Sequence, residues 1–217
     1  MVIDKDRNEN ILTFWDSYYK RKISTFPNSA FSTYCLNYLN KESTLIDVGC
    51  GDGRDSLFFS RNHIYTTGID FSSEVINQNK KFENDYLNFL NIDLNLIDKY
   101  NKKFDFAYCR FLFHAINEDV EDILFKWIAK NISSCIFIET RIYDEKTSHI
   151  NQSHFRRYFT EQDFTEKIKR LGFTIKYSES SRTFSRYKDI YNVEDIKIDP
   201  LLLRIIISKE ININNSY

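Results

Sequence analysis

The sequence predicts a doubly wound α/β fold, in which a seven-stranded, mostly parallel sheet is covered by helices on both faces. Strand-like and helix-like segments alternate along most of the 217 residues. Three of the five glycines, Gly49, Gly51 and Gly53, stand at alternate positions between a strand-like run and a helix-like one. In doubly wound folds, a glycine-rich turn after the first strand is a nucleotide-binding site.

Two leading helices are predicted over residues 9–22 and 29–40, the second beginning at Ser29, which is a favourable N-cap residue. They form an N-terminal helical cap over residues 1–42, ahead of an α/β core over 43–209, within a single domain spanning 1–217. Seven strand-like runs follow the cap, at 44–48, 64–69, 87–91, 104–109, 133–139, 173–178 and 201–208.

Helices are most clearly indicated at 118–130 and 161–171. The first carries apolar residues at helical spacing behind Asn117 as a cap, with acids in its first turn. The second follows Thr160, which with Asp163 resembles a capping box.

Composition bounds the classes of partner. A formal net charge of -1 and the absence of a basic run argue against nucleic acid. The first ten residues have neither the basic patch nor the apolar core of a signal peptide, and no apolar run approaches the roughly 20 residues that span a bilayer. Four widely spaced cysteines without C-x-x-C suggest reduced thiols. We therefore expect a cytoplasmic protein that binds neither nucleic acid nor membrane.

The glycine turn itself offers backbone amides and an approach unobstructed by Cβ atoms, which does not by itself name a ligand. A dinucleotide fingerprint, G-x-G-x-x-G, would require a glycine at position 54, where this chain has Arg54. The spacing is instead Asp47-x-Gly49-x-Gly51-x-Gly53. This argues against a dinucleotide-dependent oxidoreductase.

Acidic residues end the next two strands. Asp70 stands 23 residues after Asp47, near the offset of roughly 20 residues at which an acid reaches a ribose diol. Asp93 follows the third strand, so both acids lie at the carboxyl edge of the sheet. Each also has a purely structural interpretation: Asp70 as a cap of the helix beginning near Ser72, and Asp93 as part of an ordinary turn.

These motifs together resemble motifs I to III of the class I S-adenosylmethionine-dependent methyltransferases. The resemblance covers most of the chain, including 104–114 as the fourth-strand motif and 201–208 as an antiparallel last strand. It implies S-adenosylmethionine as cofactor, with the glycines admitting its methionine part and ribose, Asp70 binding the ribose hydroxyls and Asp93 meeting the adenine amino group. The predicted cofactor-binding residues are Tyr18, Tyr19, Asp47, Gly49, Cys50, Gly51, Gly53, Arg54, Asp70, Phe71, Asp93, Leu94, Cys109 and Arg110.

Within that set, Cys109 and Arg110 are expected to border the methionine end through their backbone. The leading segment contributes Trp15, Tyr18 or Tyr19 as a cover whose aromatic face favours the sulfonium cation. Simple packing of these aromatic residues is the alternative.

The acceptor site is predicted beside the fourth and fifth strands. His114 follows the fourth strand, Arg141 ends the fifth, and Arg156 with Arg157 lies in a 141–160 segment that has the length of a lid. Guanidinium groups grip phosphate or carboxylate oxygens in pairs, so this set suits an anion.

Structural alternatives exist for the acceptor residues as well. His114 has the alternative of a hydrogen-bonded loop histidine, and the arginine pair that of a solvated surface pair or of ion pairs with Glu161 and Asp163. The acids and histidines between 139 and 154 have no recognisable ligand spacing, so we predict no required metal.

A finer resemblance, to small bacterial methyltransferases of capsule and surface-glycan biosynthesis, rests on Glu139-x-Arg141 and on His154-x-Arg156-Arg157-Tyr158. It implies methyl transfer to a small, anionic acceptor, with oxygen as the expected atom. Two alternatives stay open. The first is a nucleic acid or other macromolecule methyltransferase; with prolines only at 27 and 200, the chain lacks the Pro-Pro-Tyr and Pro-Cys motifs of nucleic acid methylation. A non-catalytic cofactor-binding protein is opposed by the acceptor residues. The oligomeric state does not follow from the sequence.

Overall fold

Two helices precede the sheet, as predicted. The computed structural model describes residues 5–21, 27–146, 155–184 and 199–209. Helix α1 spans Lys5–Arg21 and α2 spans Ala30–Leu36. Ser29 is the N-cap of α2, accepting a 3.0 Å hydrogen bond from the amide of Ser32, and the helix ends four residues earlier than the predicted position 40.

Seven strands form one sheet in the order β3-β2-β1-β4-β5-β7-β6, which confirms the predicted fold class. Strands β1 to β5 run parallel, and β7 is antiparallel to both of its neighbours. The strands are β1 Thr44–Val48, β2 Tyr65–Asp70, β3 Leu87–Asn91, β4 Phe106–Arg110, β5 Cys135–Arg141, β6 Phe173–Ser181 and β7 Leu202–Lys209.

Four further helices connect the strands: α3 Arg54–Arg61, α4 Ser73–Asn79, α5 Glu118–Asn131 and α6 Glu161–Arg170. The predicted caps are present. Asn117 accepts a hydrogen bond from the amide of Val120, and Thr160 with Asp163 forms a reciprocal capping box. Among the helices of the described residues, none combines the length and apolar character that crossing a membrane would require.

Apolar side chains cover both faces of the sheet. On one face, Trp127 and Ile128 of α5 pack with Phe164 of α6. On the other, Phe31 of α2 and Phe59 of α3 pack against strand residues. The carboxyl ends of the parallel strands are thereby left between the helical layers, where doubly wound folds bind ligands.

A buried carboxylate fixes α2 to the core. Asp55, in the first turn of α3, accepts hydrogen bonds from the amide of Ser29 at 2.6 Å, from the Ser29 hydroxyl at 2.8 Å and from the Tyr108 hydroxyl at 2.8 Å. Its negative charge also lies at the positive end of α3. The N-cap of α2, the start of α3 and strand β4 are thus joined at one side chain.

Replacing this carboxylate should destabilise the fold. Asp55→Ala leaves the Ser29 and Tyr108 donors buried without their acceptor, so we expect a loss of about 2–4 kcal/mol in the free energy of unfolding. Urea denaturation measures it. Asp98→Ala, at an exposed acid, is the control and should change stability by less than about 0.5 kcal/mol. Equal stability of the two variants would contradict this role for Asp55.

Candidate active site

The turn between β1 and α3 is built on left-handed glycines. Gly49, Gly51 and Gly53 have φ angles of 72°, 54° and 71°, a region that residues with a Cβ rarely adopt. A Cβ on Gly51 would lie 2.7 Å from the hydroxyl of Tyr19, and one on Gly53 would lie 2.7 Å from the ring of Phe89. The glycines therefore serve backbone conformation and close packing together.

Asp70 is held rigidly beside this turn. One carboxylate oxygen accepts a 3.0 Å hydrogen bond from the amide of Gly51, and the other accepts one of 3.0 Å from the amide of Ser72. The side chain is only 8% exposed, and burial raises its pKa to about 6 although both amide bonds act in the opposite direction. The bond from the Ser72 amide is in keeping with the alternative capping role of Asp70, but the N-cap residue of α4 is Ser72.

Asp47 lies deeper in β1. It is fully buried, and burial raises the pKa of its carboxyl to about 8 despite a 2.6 Å hydrogen bond from the hydroxyl of Ser56. The first acid of the motif therefore fixes the start of α3 from inside the protein.

Asp93 occupies the end of the third strand in a different way. It is exposed, and one carboxylate oxygen accepts from the amide of Asn95 at 2.9 Å, capping a short 3₁₀ turn over Leu94–Lys99. Asn91 just before it donates to the carbonyl oxygens of Asp70 and Phe71, at 3.0 and 2.8 Å. This amide ties the ends of β2 and β3 together.

Helix α1 lies over the glycine turn. The ring of Tyr19 is stacked on Trp15 at 6.0 Å between centroids, and its hydroxyl reaches Gly51. Asp16 accepts a short hydrogen bond from the hydroxyl of Ser72. Tyr18, by contrast, is 39% exposed. Tyr19, one of the two predicted tyrosines, therefore contacts the turn.

Past β4 the chain forms an aromatic and cationic corner. Phe111 has a left-handed φ of 57°, and its amide donates a 2.7 Å hydrogen bond to the carbonyl of Glu139. The guanidinium carbon of Arg110 lies 4.0 Å from the centre of the Phe111 ring, and that of Arg141 lies 5.7 Å from it. Arg110, predicted to act through its backbone, thus also brings its side chain to this corner.

His114 is near the same corner and is 7% exposed. Its Nδ1 atom lies 3.2 Å from the hydroxyl of Thr140 and accepts a 3.4 Å hydrogen bond from the amide of Arg141. In a neutral ring that accepts at Nδ1, the proton is on Nε2.

Residues 15–177 match the family described as "Methyltransferase domain". The chain belongs to this methyltransferase family. The match covers both the glycine turn and the corner beyond β4, so the enzyme class predicted from the sequence is confirmed.

Solved structures resemble the methyltransferase closely in fold despite low identity. The geranyl diphosphate C-methyltransferase of Streptomyces coelicolor A3(2), in complex with Mg²⁺, geranyl diphosphate and S-adenosyl-L-homocysteine, has a TM-score of 0.73 at 9% identity, covering 95% of this chain and 100% of that one. The 1,6-didemethyltoxoflavin-N1-methyltransferase of Burkholderia thailandensis, with 1,6-didemethyltoxoflavin and S-adenosylhomocysteine bound, has a TM-score of 0.71 at 18% identity, covering 96% of this chain and 91% of that one. The [4+2]-cyclase SpnF scores 0.71 at 15%, covering 94% and 95%.

No curated protein matches the chain. The family match supports the predicted cofactor, and two of the structures of similar fold hold S-adenosylhomocysteine. The finer likeness to enzymes of capsule biosynthesis finds no support among the matches.

The residues of the turn fit the cofactor that the family implies. The three glycines keep side chains out of the turn, and Asp70 presents a carboxylate whose position two backbone amides fix. Other predicted positions surround them. Arg54 begins α3, Cys50 lies within the turn, and Leu94 and Cys109 are buried next to the sheet edge.

Of the two arginines predicted as a pair, Arg157 forms ion pairs within the protein. Arg157 donates to Glu121 in a short ion pair and lies 3.5 Å from Glu118, both on α5, instead of pairing with Glu161 or Asp163. The amide of Arg157 also donates to the carbonyl of His114 at 2.8 Å, so the backbone of the 155–160 segment runs beside His114. Arg157 thereby holds the 155–160 segment to α5. The histidines at 149 and 154, also named for this segment, lie outside the described residues.

Several polar groups of the site had no motif to reveal them. Asp16, Asn79 and Asn91 each bind or orient the turn or the ends of β2 and β3, Asn79 through a 2.7 Å hydrogen bond to the carbonyl of Gly51. Only Asn91 carried a signal, its place at a strand end beside Asp93. Within the described residues, no three His, Cys, Asp or Glu side chains are grouped as a metal site requires, and the metal prediction stays a prediction.

Asp47 predicts a pH dependence of stability. Its pKa is about 8 when folded against about 4 when unfolded, so the folded state binds more protons between these pH values. The free energy of unfolding should therefore fall as pH rises through this window. Asp47→Asn keeps an acceptor for Ser56 and removes this contribution.

Urea denaturation of both proteins at about pH 5 and about pH 8 tests this prediction. The stability of the wild type minus that of Asp47→Asn should decrease by a few kcal/mol between the two. Asp98→Asn, at an exposed acid, should show no such trend. If the stability of the wild type minus that of Asp47→Asn stays constant or rises with pH, Asp47 is not a buried, protonated acid.

Proposed function

We propose that the chain is an S-adenosylmethionine-dependent methyltransferase that transfers a methyl group to an oxygen of a small, anionic acceptor. One observation carries the proposal: two dissimilar sites lie side by side at the carboxyl edge of the sheet. The first is the glycine turn with Asp70 beneath α1. The second is the cationic corner around Phe111, after the adjacent strand β4.

The first site suits the cofactor. When bound, S-adenosylmethionine supplies an electrophilic methyl group on a sulfonium that leaves as a neutral thioether. Asp70 would accept hydrogen bonds from the ribose hydroxyls, and the amides of Gly51 and Ser72 hold its carboxylate in place. Tyr19, packed on the turn, would exclude water from one side.

The second site suits an anion. Arg141 lies at the corner, and we propose that Arg156, which precedes the residue whose amide binds the carbonyl of His114, adds a second cation there. Cationic side chains attract the acceptor and hold its negatively charged group, which fixes the distance to the methyl donor.

His114 is proposed to orient the acceptor oxygen by donating from Nε2. Its Nδ1 already accepts from the amide of Arg141, which favours a neutral ring with a single N–H. A deprotonated acceptor oxygen needs no general base, so a hydrogen-bond donor at this place is sufficient for transfer.

The preference for oxygen rests on this cationic corner. The methyltransferases of similar fold are named for methylation of carbon and of a ring nitrogen, so the fold leaves the atom open. A surface-glycan precursor stays a hypothesis based on the short motifs around Arg141 and Arg156.

The cofactor site predicts a pH-dependent affinity. The ionised form of Asp70 accepts two hydroxyl hydrogen bonds, and its pKa is raised to about 6. Affinity for S-adenosylhomocysteine should therefore fall as pH falls through about 6, and Asp70→Ala should lower it by about 100-fold at neutral pH. Isothermal titration calorimetry measures both effects.

Asp98→Ala, at an exposed acid on the neighbouring 3₁₀ turn, is the matched control and should bind like the wild type. Unchanged affinity in Asp70→Ala would overturn the assignment of the cofactor site.

The acceptor site predicts a separation of binding from turnover. Radiolabelled S-adenosylmethionine would be offered with panels of phosphorylated, carboxylated and neutral hydroxyl compounds. Methylation should be confined to the anionic panels. Arg141→Gln should lower kcat/KM for the best acceptor by about 100-fold, since it removes a charge-assisted contact, while affinity for S-adenosylhomocysteine stays within about twofold. Preference for neutral acceptors, or unchanged kcat/KM, would contradict the proposal.

A further inference from the structure

Three charged residues form a row across neighbouring strands. The sheet register pairs Arg110 of β4 with Glu139 of β5, and Glu139 with Arg204 of β7. Residues paired across adjacent strands present their side chains on the same face. Because Arg110 is the last residue of β4, this row lies at the carboxyl edge of the sheet.

Glu139 is the centre of the row. Its side chain is 1% exposed, one oxygen accepts from Nε of Arg110 at 2.7 Å, and the other accepts from Nε of Arg204 at 2.6 Å. A buried carboxylate is stable only when it is paired and hydrogen-bonded. The orientation of Arg110 is therefore coupled to Glu139, and that of Glu139 to Arg204.

The two arginines differ in their surroundings. Arg204 is 8% exposed, and its guanidinium lies between two aromatic rings, 5.2 Å from the centre of Phe31 and 4.0 Å from that of Phe184. Arg110 is more exposed and stacks on Phe111 at the acceptor corner. Arg204 is the anchored end of the row, and Arg110 is the end that faces the proposed site.

We propose that Glu139 and Arg204 are positioning residues that aim the guanidinium of Arg110 at the anionic group of the acceptor. The ion pair with Glu139 uses Nε of Arg110, and guanidinium groups bind carboxylate or phosphate through paired N–H donors. Two arginines against one glutamate give the row a net positive charge, which favours an anion. The inference rests on the proposed function and adds the residue that contacts the anion.

The test uses the full chain saturated with S-adenosylhomocysteine, with inorganic phosphate as the probe anion. Arginine side-chain ¹H–¹⁵N spectra follow the Nε signals during a phosphate titration. In the wild type, phosphate should shift the Arg110 signal. Glu139→Gln should move the signals of both Arg110 and Arg204 before any phosphate is added. It also removes a negative charge, which alone would strengthen phosphate binding, so a roughly tenfold weakening would report the lost orientation of Arg110.

Arg204→Lys keeps the charge but loses the Nε geometry, so it should weaken phosphate binding less than Glu139→Gln does while still moving the Arg110 signal. It also provides a second variant if Glu139→Gln does not fold. Asp105→Asn is the control. Asp105 is a partly buried acid that accepts hydrogen bonds from the amide and hydroxyl of Thr44 at the opposite, amino edge of the sheet, so its substitution should leave phosphate binding unchanged.

The outcomes separate this inference from the proposed function. If S-adenosylhomocysteine does not bind the wild type, the proposed function fails. If it binds, but phosphate leaves the Arg110 signal unmoved, or Glu139→Gln and Arg204→Lys bind phosphate as the wild type does, the positioning role is wrong while the cofactor site stands.

Discussion

The carboxylate of Asp70 is the interaction on which the site depends. It joins the amide of the glycine turn to that of Ser72, and the Ser72 hydroxyl in turn binds Asp16 of α1. The ends of two strands, the start of α4 and the covering helix are thereby fixed relative to one group. Burial makes that group costly to ionise, and the backbone donors offset part of the cost. A cofactor that supplies two more donors would complete the same arrangement.

The same edge combines two electrostatic regimes. Acids surround the glycine turn, where Asp47 and Asp70 both have raised pKa values, whereas arginines surround the corner after β4. Only one strand boundary, between β1 and β4, separates them. In the proposed function, the ionised carboxylate of Asp70 would face the positively charged donor, and the arginines would hold a negatively charged acceptor across this boundary.

Sequence reasoning recovered the parts that depend on local pattern. All seven strands, the caps at Asn117 and Thr160, and the place of Asp70 follow from periodicity, capping preferences and spacing. What it missed depends on distant residues meeting. Nothing in the order of residues says that Arg157 pairs with Glu121 on α5 rather than with Glu161, or that Phe111 adopts a left-handed conformation. Asp16 is an unremarkable helical acid until the fold brings Ser72 to it.

Cys50 gives the glycine turn an internal probe. Its thiol is enclosed by the turn and α4, and burial raises its pKa well above that of an ordinary cysteine. Alkylating reagents attack the thiolate, so the Cys50 thiol should not react with them at neutral pH while the turn is closed. The rate at which Cys50 is alkylated should therefore report how often the turn opens. The natural sequence thus allows this motion to be followed without an added dye or an engineered residue.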